Sequence, residues 1–331
     1  MKLAIIGGGS WGTALAIVLA PRSASLTLWV HEADLAERMA SARENDVFLP
    51  GCHLPDRVRI TTELSTALDG ADIVLGVMPS HHARGLYAAM LPHLTPSMIL
   101  VSATKGLEQG SLLRMSEVIE HVLRAKFEPR IAVLSGPTFA REVAAGNPTA
   151  VVVASSNLEV ARCVQEAFSG PTFRLYTNAD PVGVEVGAAL KNVIAIGAGI
   201  CEGLGLGHNP TAALITRGLA EITRLAVAMG GQAKTLAGLA GLGDLVLTCS
   251  GELSRNRYVG KELGSGRPLG KILASMRMVA EGVETCASAV ALGQKFGVDL
   301  PIIQQMHAVM SDQKSPREAV KDLMDRALKG E

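Results

Sequence analysis

The run Lys2-Leu3-Ala4-Ile5-Ile6-Gly7-Gly8-Gly9-Ser10-Trp11-Gly12 decides how the first half of this chain is read. A short apolar segment without alternation suits a strand buried on both faces. Gly7, Gly9 and Gly12 then have the G-x-G-x-x-G spacing, and Thr13 to Leu19 takes on helical apolar character. Strand, glycine turn and helix in that order build a phosphate-binding corner. Gly7 permits the tight turn, Gly9 lets the backbone approach a pyrophosphate, and Gly12 lets helix and strand pack closely. The free amides at the helix start face the phosphates. Ser25 to Val30 reads as the second strand, with His31 and Glu32 at its carboxyl end. Glu32 lies about 20 residues beyond Gly12, where an acidic ligand for a ribose is expected.

Outward from this corner, buried strands are expected at 72–78, 98–102, 131–135 and 150–154, mostly separated by helical or loop segments. Such alternation predicts a doubly wound α/β sheet, a Rossmann domain over 1–180. Ligands of these sheets gather outside the carboxyl ends of the strands. Three polar, turn-rich segments fall there: Pro79-Ser80-His81, Ala103-Thr104-Lys105-Gly106 and Ser135-Gly136-Pro137-Thr138-Phe139-Ala140. His81 and His82 are either ligands or bases, or loop residues beside the cofactor. Residues 170–180 read as a hinge, because Pro171, Asn178, Asp180 and Pro181 break the pattern.

The second half, 181–331, reads as an all-helical domain. Asp180-Pro181 supplies a helix start, and the helix that follows carries Lys191-Asn192 among Gly, Ala, Val and Ile. The neighbours of Lys191 at i−4 and i+4 are Gly187 and Ala195, so its own helix face leaves it room. Two readings fit. A buried lysine has its charged form disfavoured and becomes a general acid–base; a snorkelling lysine sends its head to water. Further helices are expected near 211–229, 255–264, 268–277, 284–296, 301–311 and 316–329, with starts at Asn209-Pro210-Thr211 and Ser315-Pro316-Arg317-Glu318. Gly241-Leu242-Gly243-Asp244 presents an acid after a flexible turn. Ser254-Arg255-Asn256-Arg257 puts arginine at a helix start, against the dipole. This is either a solvated basic turn or a place where amides, a guanidinium and a carboxamide meet a phosphate.

Composition narrows the partners. The 31 basic and 31 acidic side chains cancel, which argues against a general affinity for nucleic acid or anionic membrane and for a small molecule. Val182 to Ile200 is apolar enough to suggest a membrane span, but Glu185, Lys191 and Asn192 in its interior favour a buried helix, without membrane insertion. Five scattered cysteines without a Cys-x-x-Cys fit reduced thiols in the cytoplasm, and Met1-Lys2 leads straight into a strand without a signal peptide. No metal-ligand cluster is visible.

Gly7–Ala16 (GGGSWGTALA), Ala103–Leu107 (ATKGL), Ser135–Ala140 (SGPTFA), Leu190–Ala198 (LKNVIAIGA), Gly241–Cys249 (GLGDLVLTC) and Ser254–Arg257 (SRNR) stand in order along the chain. Together they resemble the bacterial-type NAD(P)-dependent glycerol-3-phosphate dehydrogenases, over essentially the whole length. The resemblance implies interconversion of dihydroxyacetone phosphate and sn-glycerol 3-phosphate for phospholipid backbones. It implies Lys191 as the catalytic proton acceptor in oxidation, with Asn192 beside it. Substrate contacts are implied for Lys105, Gly136, Thr138, Lys191, Asn192, Asp244, Ser254, Arg255 and Asn256. Cofactor contacts are implied for Ser10, Trp11, His31, Lys105, Ala140, Arg255, Val279 and Glu281. Lys105 is then a candidate cation beside Lys191. Many members carry arginine where His31 stands, so NAD and NADP both stay open; Glu32 accepts from a free ribose or points away. A homodimer is compatible with the resemblance. Two other readings are weighed. A ketopantoate or 3-hydroxyacid reductase shares the architecture but not the SRNR and SGPTFA segments. A non-catalytic nucleotide sensor has no need of Lys105, Lys191 and Asp244.

Overall fold

The computed structural model describes residues 1–276 and 279–328. Among them the first half runs β1 (Lys2–Ile6), α1 (Ser10–Leu19), β2 (Ser25–Trp29), α2 (Ala33–Ala42), β3 (Glu44–Asn45), β4 (Leu49–His53), β5 (Val58–Thr61), α3 (Leu64–Leu68) and β6 (Ile73–Gly76). It continues with α4 (Ser80–Met90), β7 (Ile99–Ser102), α5 (Met115–Leu123), β8 (Arg130–Ser135), α6 (Ala140–Ala144), β9 (Thr149–Ala154), α7 (Leu158–Phe168) and β10 (Phe173–Asn178). The second half holds α8 (Pro181–Gly203), α9 (His208–Ala228), α10 (Ala233–Leu236), a π-helical turn (Leu239–Gly243), α11 (Asp244–Ser250), α12 (Arg255–Gly264) and α13 (Leu269–Ala274). It closes with α14 (Glu281–Phe296), α15 (Pro301–Met310) and α16 (Pro316–Met324). The chain divides into two compact units, Met1–Glu108 with Leu113–Glu185, and Gln109–Leu112 with Val186–Glu331.

The first unit is built on a sheet in the order β10-β9-β8-β7-β6-β1-β2-β5. The β1 strand shows why its sequence lacks alternation. Leu3 and Ile5 enter the core on one face while Ala4 and Ile6 enter the core on the other, so both faces demand apolar side chains. Strands β5, β2, β1, β6, β7 and β8 run parallel, but β9 is antiparallel to β8, with β10 parallel to β9. The segment between β8 and β9 contains only the short α6 and does not cross back over the sheet. The next strand therefore starts where β8 ends. The longer α7 does return, and β10 follows β9 in parallel. Residues 173–178 are thus the last strand of the sheet and not part of a hinge: Phe173 and Leu175 point inward as an alternating strand, which the flanking breakers disguised. The small β3–β4 pair and β5 were not anticipated, being short and interrupted by polar residues.

Helix α8, whose residues up to Glu185 belong to the first unit, is long and apolar enough to span a membrane by length and composition, yet it is buried within the protein. It crosses α12 at backbone contact. A Cβ on Gly199 would stand 2.0 Å from the Arg257 carbonyl oxygen, and one on Gly260 would stand 1.9 Å from that of Ile196. Only glycines permit this crossing, and it fixes the start of α12 relative to α8. Helix α9 begins at His208 behind Gly207, ahead of the Asn-Pro-Thr signal. Helix α14 begins at Glu281, a turn earlier than expected. Gly241-Leu242-Gly243 is the π-helical turn leading into α11, not a flexible loop. A Cβ at Gly241 would strike the Leu236 carbonyl, so glycine here serves close helical packing. The predicted caps at Ser254 and Ser315 are present, the latter with its Glu318 capping box. The expected helix ends at 277 and 329 lie outside the described residues.

Glu221 of α9 caps a neighbouring helix. Its carboxylate, 2% exposed, accepts from the amides of Ile302 at 2.8 Å and Ile303 at 3.2 Å in the first turn of α15. Burial pushes its carboxyl up to about 7, against the pull of the two amides. Folded protein then keeps a proton that the unfolded chain has lost, so this contribution to stability is full below about pH 4.5 and disappears as pH rises through about 7. The whole window is worth on the order of 3 kcal/mol. Urea unfolding of wild type and Glu221→Gln from acid to neutral pH should show this fall in wild type, with the variant losing it. Parallel profiles would contradict the assignment.

Candidate active site

The predicted site residues fall into two clusters, one in each unit. In the first unit the glycine corner joins β1 to α1, with the Gly7 amide donating to the Trp29 carbonyl at 3.1 Å. Gly7 has φ +129°, and a Cβ there would lie 2.2 Å from the Val77 carbonyl oxygen. At Gly12 a Cβ would lie 1.9 Å from the Gly7 carbonyl oxygen, whereas at Gly9 it would meet nothing within 4 Å. Two glycines are thus required by the protein's own backbone, and the third faces open space at the N-terminus of α1. That combination fits a dinucleotide pyrophosphate. Ser10 and Trp11 form the first turn of α1, both half-buried, and Ala140 opens α6, which packs on the same core. His31 and Glu32 follow β2 with exposed side chains, and the His31 ring lies 5.7 Å from that of Trp29. Gly12→Ala is expected to destabilise by about 1–3 kcal/mol through overpacking and to abolish NADH binding followed by its fluorescence. Wild-type affinity in this variant would contradict the corner's assignment.

Beyond the corner, Lys105, Gly136 and Thr138 meet. The Lys105 Nζ donates to the Gly136 carbonyl at 3.4 Å, and the Thr138 hydroxyl donates to the same oxygen at 3.1 Å. His81 and His82 open α4 on the exposed side, with ring centroids 4.0 Å apart.

In the second unit Lys191 is 5% exposed, so it does not snorkel. Its Nζ forms an ion pair with Asp244 and donates to the Thr248 hydroxyl oxygen at 2.8 Å. The Thr248 hydroxyl in turn donates to the Asp244 carbonyl at 2.6 Å. Because that proton is committed, Thr248 offers Lys191 a lone pair only. The local sequence explains the meeting. A Cβ on Gly187 would stand 3.0 Å from the Ala240 carbonyl oxygen, so the π-helical turn lies directly on α8. One turn on from that contact, in either segment, are Lys191 and Asp244. Asp244 and Thr248 are an i, i+4 pair on α11, on the same face. Thr248 was absent from the sequence reading; its signal was this spacing, obscured by treating 241–244 as a loop.

Nearby residues secure the surrounding helices. The Asn256 carboxamide oxygen accepts from the Gly282 amide at 2.9 Å, and the Asn192 carboxamide nitrogen reaches Glu281 at 3.5 Å. Asn256 is therefore committed to the start of α14 through its oxygen. Ser254 caps α12 by accepting from the Arg257 amide at 3.2 Å, and Arg255 follows it, half-buried. Arg257 forms an ion pair with Glu202 at 2.7 Å. Val279 is 38% exposed ahead of α14.

A lysine, a carboxylate and a nucleotide-binding corner match a dehydrogenase, and comparison with known proteins decides which kind. The model of the NAD-dependent glycerol-3-phosphate dehydrogenase N-terminus matches residues 2–161, and that of the C-terminus matches residues 180–321. This chain belongs to the NAD-dependent glycerol-3-phosphate dehydrogenase family. It is 59% identical over 327 residues to glycerol-3-phosphate dehydrogenase [NAD(P)+] of Koribacter versatilis, covering 98% of this chain and 97% of the relative. The corresponding protein of Citrifermentans bemidjiense is 54% identical over 330 residues, covering 100% and 98%. Among solved structures, glycerol-3-phosphate dehydrogenase from Coxiella burnetii superposes with a TM-score of 0.94 at 39% identity, covering 98% of this chain and 99% of that one. The glycerol-3-phosphate dehydrogenase fold, a Rossmann unit followed by a helical unit, is thus shared along the full chain, and the family's cofactor is NAD or NADP.

Proposed function

We propose that this protein interconverts dihydroxyacetone phosphate and sn-glycerol 3-phosphate in the cytoplasm with NAD or NADP, supplying backbones for glycerophospholipid synthesis. The observation that carries the mechanism is the buried Lys191 held by Asp244 and Thr248. The nicotinamide cofactor, when bound, supplies or accepts the hydride. Gly7, Gly9, Ser10, Trp11 and Gly12 hold its pyrophosphate, His31 and Glu32 its ribose, and Ala140, Arg255, Val279 and Glu281 complete its contacts.

Lys191 handles the proton. Asp244 and Thr248 hold its Nζ from two directions, and the substrate oxygen approaches the same Nζ. In reduction the ammonium gives its proton to the oxygen that develops negative charge; in oxidation the neutral amine takes the hydroxyl proton. Asp244 orients the ammonium and balances its charge in a site with little water. Lys105, steadied by the Gly136 carbonyl with Thr138 alongside, is the second cation for the carbonyl. Ser254, Arg255 and Asn256 at the start of α12 receive the phosphate, with Asn192 beside Lys191, and remote phosphate binding positions the reacting carbon.

Loss of near-ultraviolet absorbance of NADH and of NADPH, each with dihydroxyacetone phosphate or with ketopantoate, tests the substrate. Turnover confined to dihydroxyacetone phosphate supports the reading, and the faster cofactor gives the preference. Tight cofactor binding without turnover would overturn it in favour of a sensor.

A further inference from the structure

A buried ion pair away from the reacting groups ties together two segments that the chemistry depends on. Glu185, 4% exposed, lies in the second turn of α8, six residues before Lys191. Its carboxylate accepts from the Ser116 amide at 2.7 Å, the Ser116 hydroxyl at 2.6 Å and the Arg114 guanidinium at 2.5 Å. Arg114 and Ser116 stand at the start of α5. The chain reaches them from Lys105 by a closed hairpin. Leu107 and Arg114 form an antiparallel bridge, the Glu108 amide donates to the Leu113 carbonyl at 2.9 Å, and Glu108 is clamped by Arg84 of α4 at 2.7 and 2.8 Å. The loop that bears Lys105 is thus fastened at its base to the same arginine that grips α8.

Burying a charge pair is a costly way to hold a helix, since apolar packing of like volume holds one as well or better. What the pair adds is direction. Charge-assisted bonds to both carboxylate oxygens fix the rotation of the first turns of α8 about the helix axis. Lys191 lies about 1.7 turns further along the same continuous helix, and its Nζ extends about 8 Å from the axis, so a rotation of about 10° moves it by about 1.4 Å. A misplacement of about 1 Å can cost a hundredfold in rate.

We infer that Glu185 and Arg114, with Ser116, are positioning residues for the reaction: they set the rotation of α8 at its start, and thereby the direction of Lys191 further along the same helix. This rests on the reading of Lys191 as the proton-transfer group. The test is a double-mutant cycle of Arg114→Met and Glu185→Gln, following the unfolding midpoint, kcat, KM for dihydroxyacetone phosphate and Kd for NADH. Each single variant leaves a buried polar group without its partner and loses both stability and kcat. The double variant removes the charges together, so its unfolding midpoint returns toward wild type, while kcat stays about 10- to 100-fold down with KM and Kd within about twofold. If kcat recovers along with stability, the pair is structural and the inference is overturned. Arg114→Lys is the second arm, retaining the charge without the planar fork. A reduced kcat at wild-type stability supports the inference, and wild-type kcat opposes it. Failure of the underlying reading is seen separately, as wild-type protein inactive on dihydroxyacetone phosphate.

Discussion

Lys191→Ala is expected to lower kcat for dihydroxyacetone phosphate reduction by about a thousandfold, the usual worth of a positioned general acid, with Kd for NADH unchanged. The selectivity follows from geometry. Lys191 sits on α8 with Asp244 and Thr248 as its partners, whereas the glycine corner is supported by β1, β2 and α1. Stopped-flow turnover together with fluorescence titration of NADH measures both quantities. A variant with a kcat within tenfold of wild type would remove Lys191 from the proton transfer. A variant that loses cofactor affinity in proportion would recast it as a binding residue.

Asp244→Ala is the second large effect, and it should be felt in the fold as well as in the rate. Asp244 is 0% exposed and its partner 5% exposed, so truncating it strands a buried ammonium. Breaking such a pair costs about 3–5 kcal/mol, a large part of a typical domain's stability. The same truncation removes the carboxylate that orients the Lys191 ammonium. The expected result is therefore a lower unfolding midpoint together with a collapse of kcat in reduction. The loss of stability should shrink in Asp244→Ala combined with Lys191→Met, which removes the stranded charge, while activity stays absent. Equal stability of Asp244→Ala and wild type would show that the pair carries no energetic weight.

How much of this was legible in the sequence depended on whether the signal was local. The β1–Gly–α1 corner is local: strand, turn and helix are consecutive, Gly7 and Gly12 are required by backbone atoms packed against them, and Gly9 faces open space. Ser254 and Ser315 are likewise local caps and were readable. The reversal of β9 and the inclusion of β10 depend instead on the path taken between strands, and Pro171 and Asn178 looked like a linker although they bracket an ordinary alternating strand. Lys191 was visible as a lysine in an apolar helix, but whether it snorkels is decided by Asp244 of α11, brought there by the π-helical turn whose contact with α8 at Gly187 no local pattern announces. Thr248 was missed because 241–244 was read as a loop, which hid its i, i+4 spacing from Asp244 on α11. Asn256 was expected at a phosphate, and its oxygen is engaged by the Gly282 amide, a partner distant in sequence.

Chemical rescue tests most directly whether Lys191 is the proton donor. Lys191→Ala would be assayed for dihydroxyacetone phosphate reduction in the presence of small primary amines of graded size and basicity. The account predicts that turnover rises with amine concentration, that the smallest amines work best in the vacated space beside Asp244 and Thr248, and that wild type is unaffected. Turnover that stays flat for every amine, in a variant that is folded and still binds NADH, would contradict the assignment of Lys191.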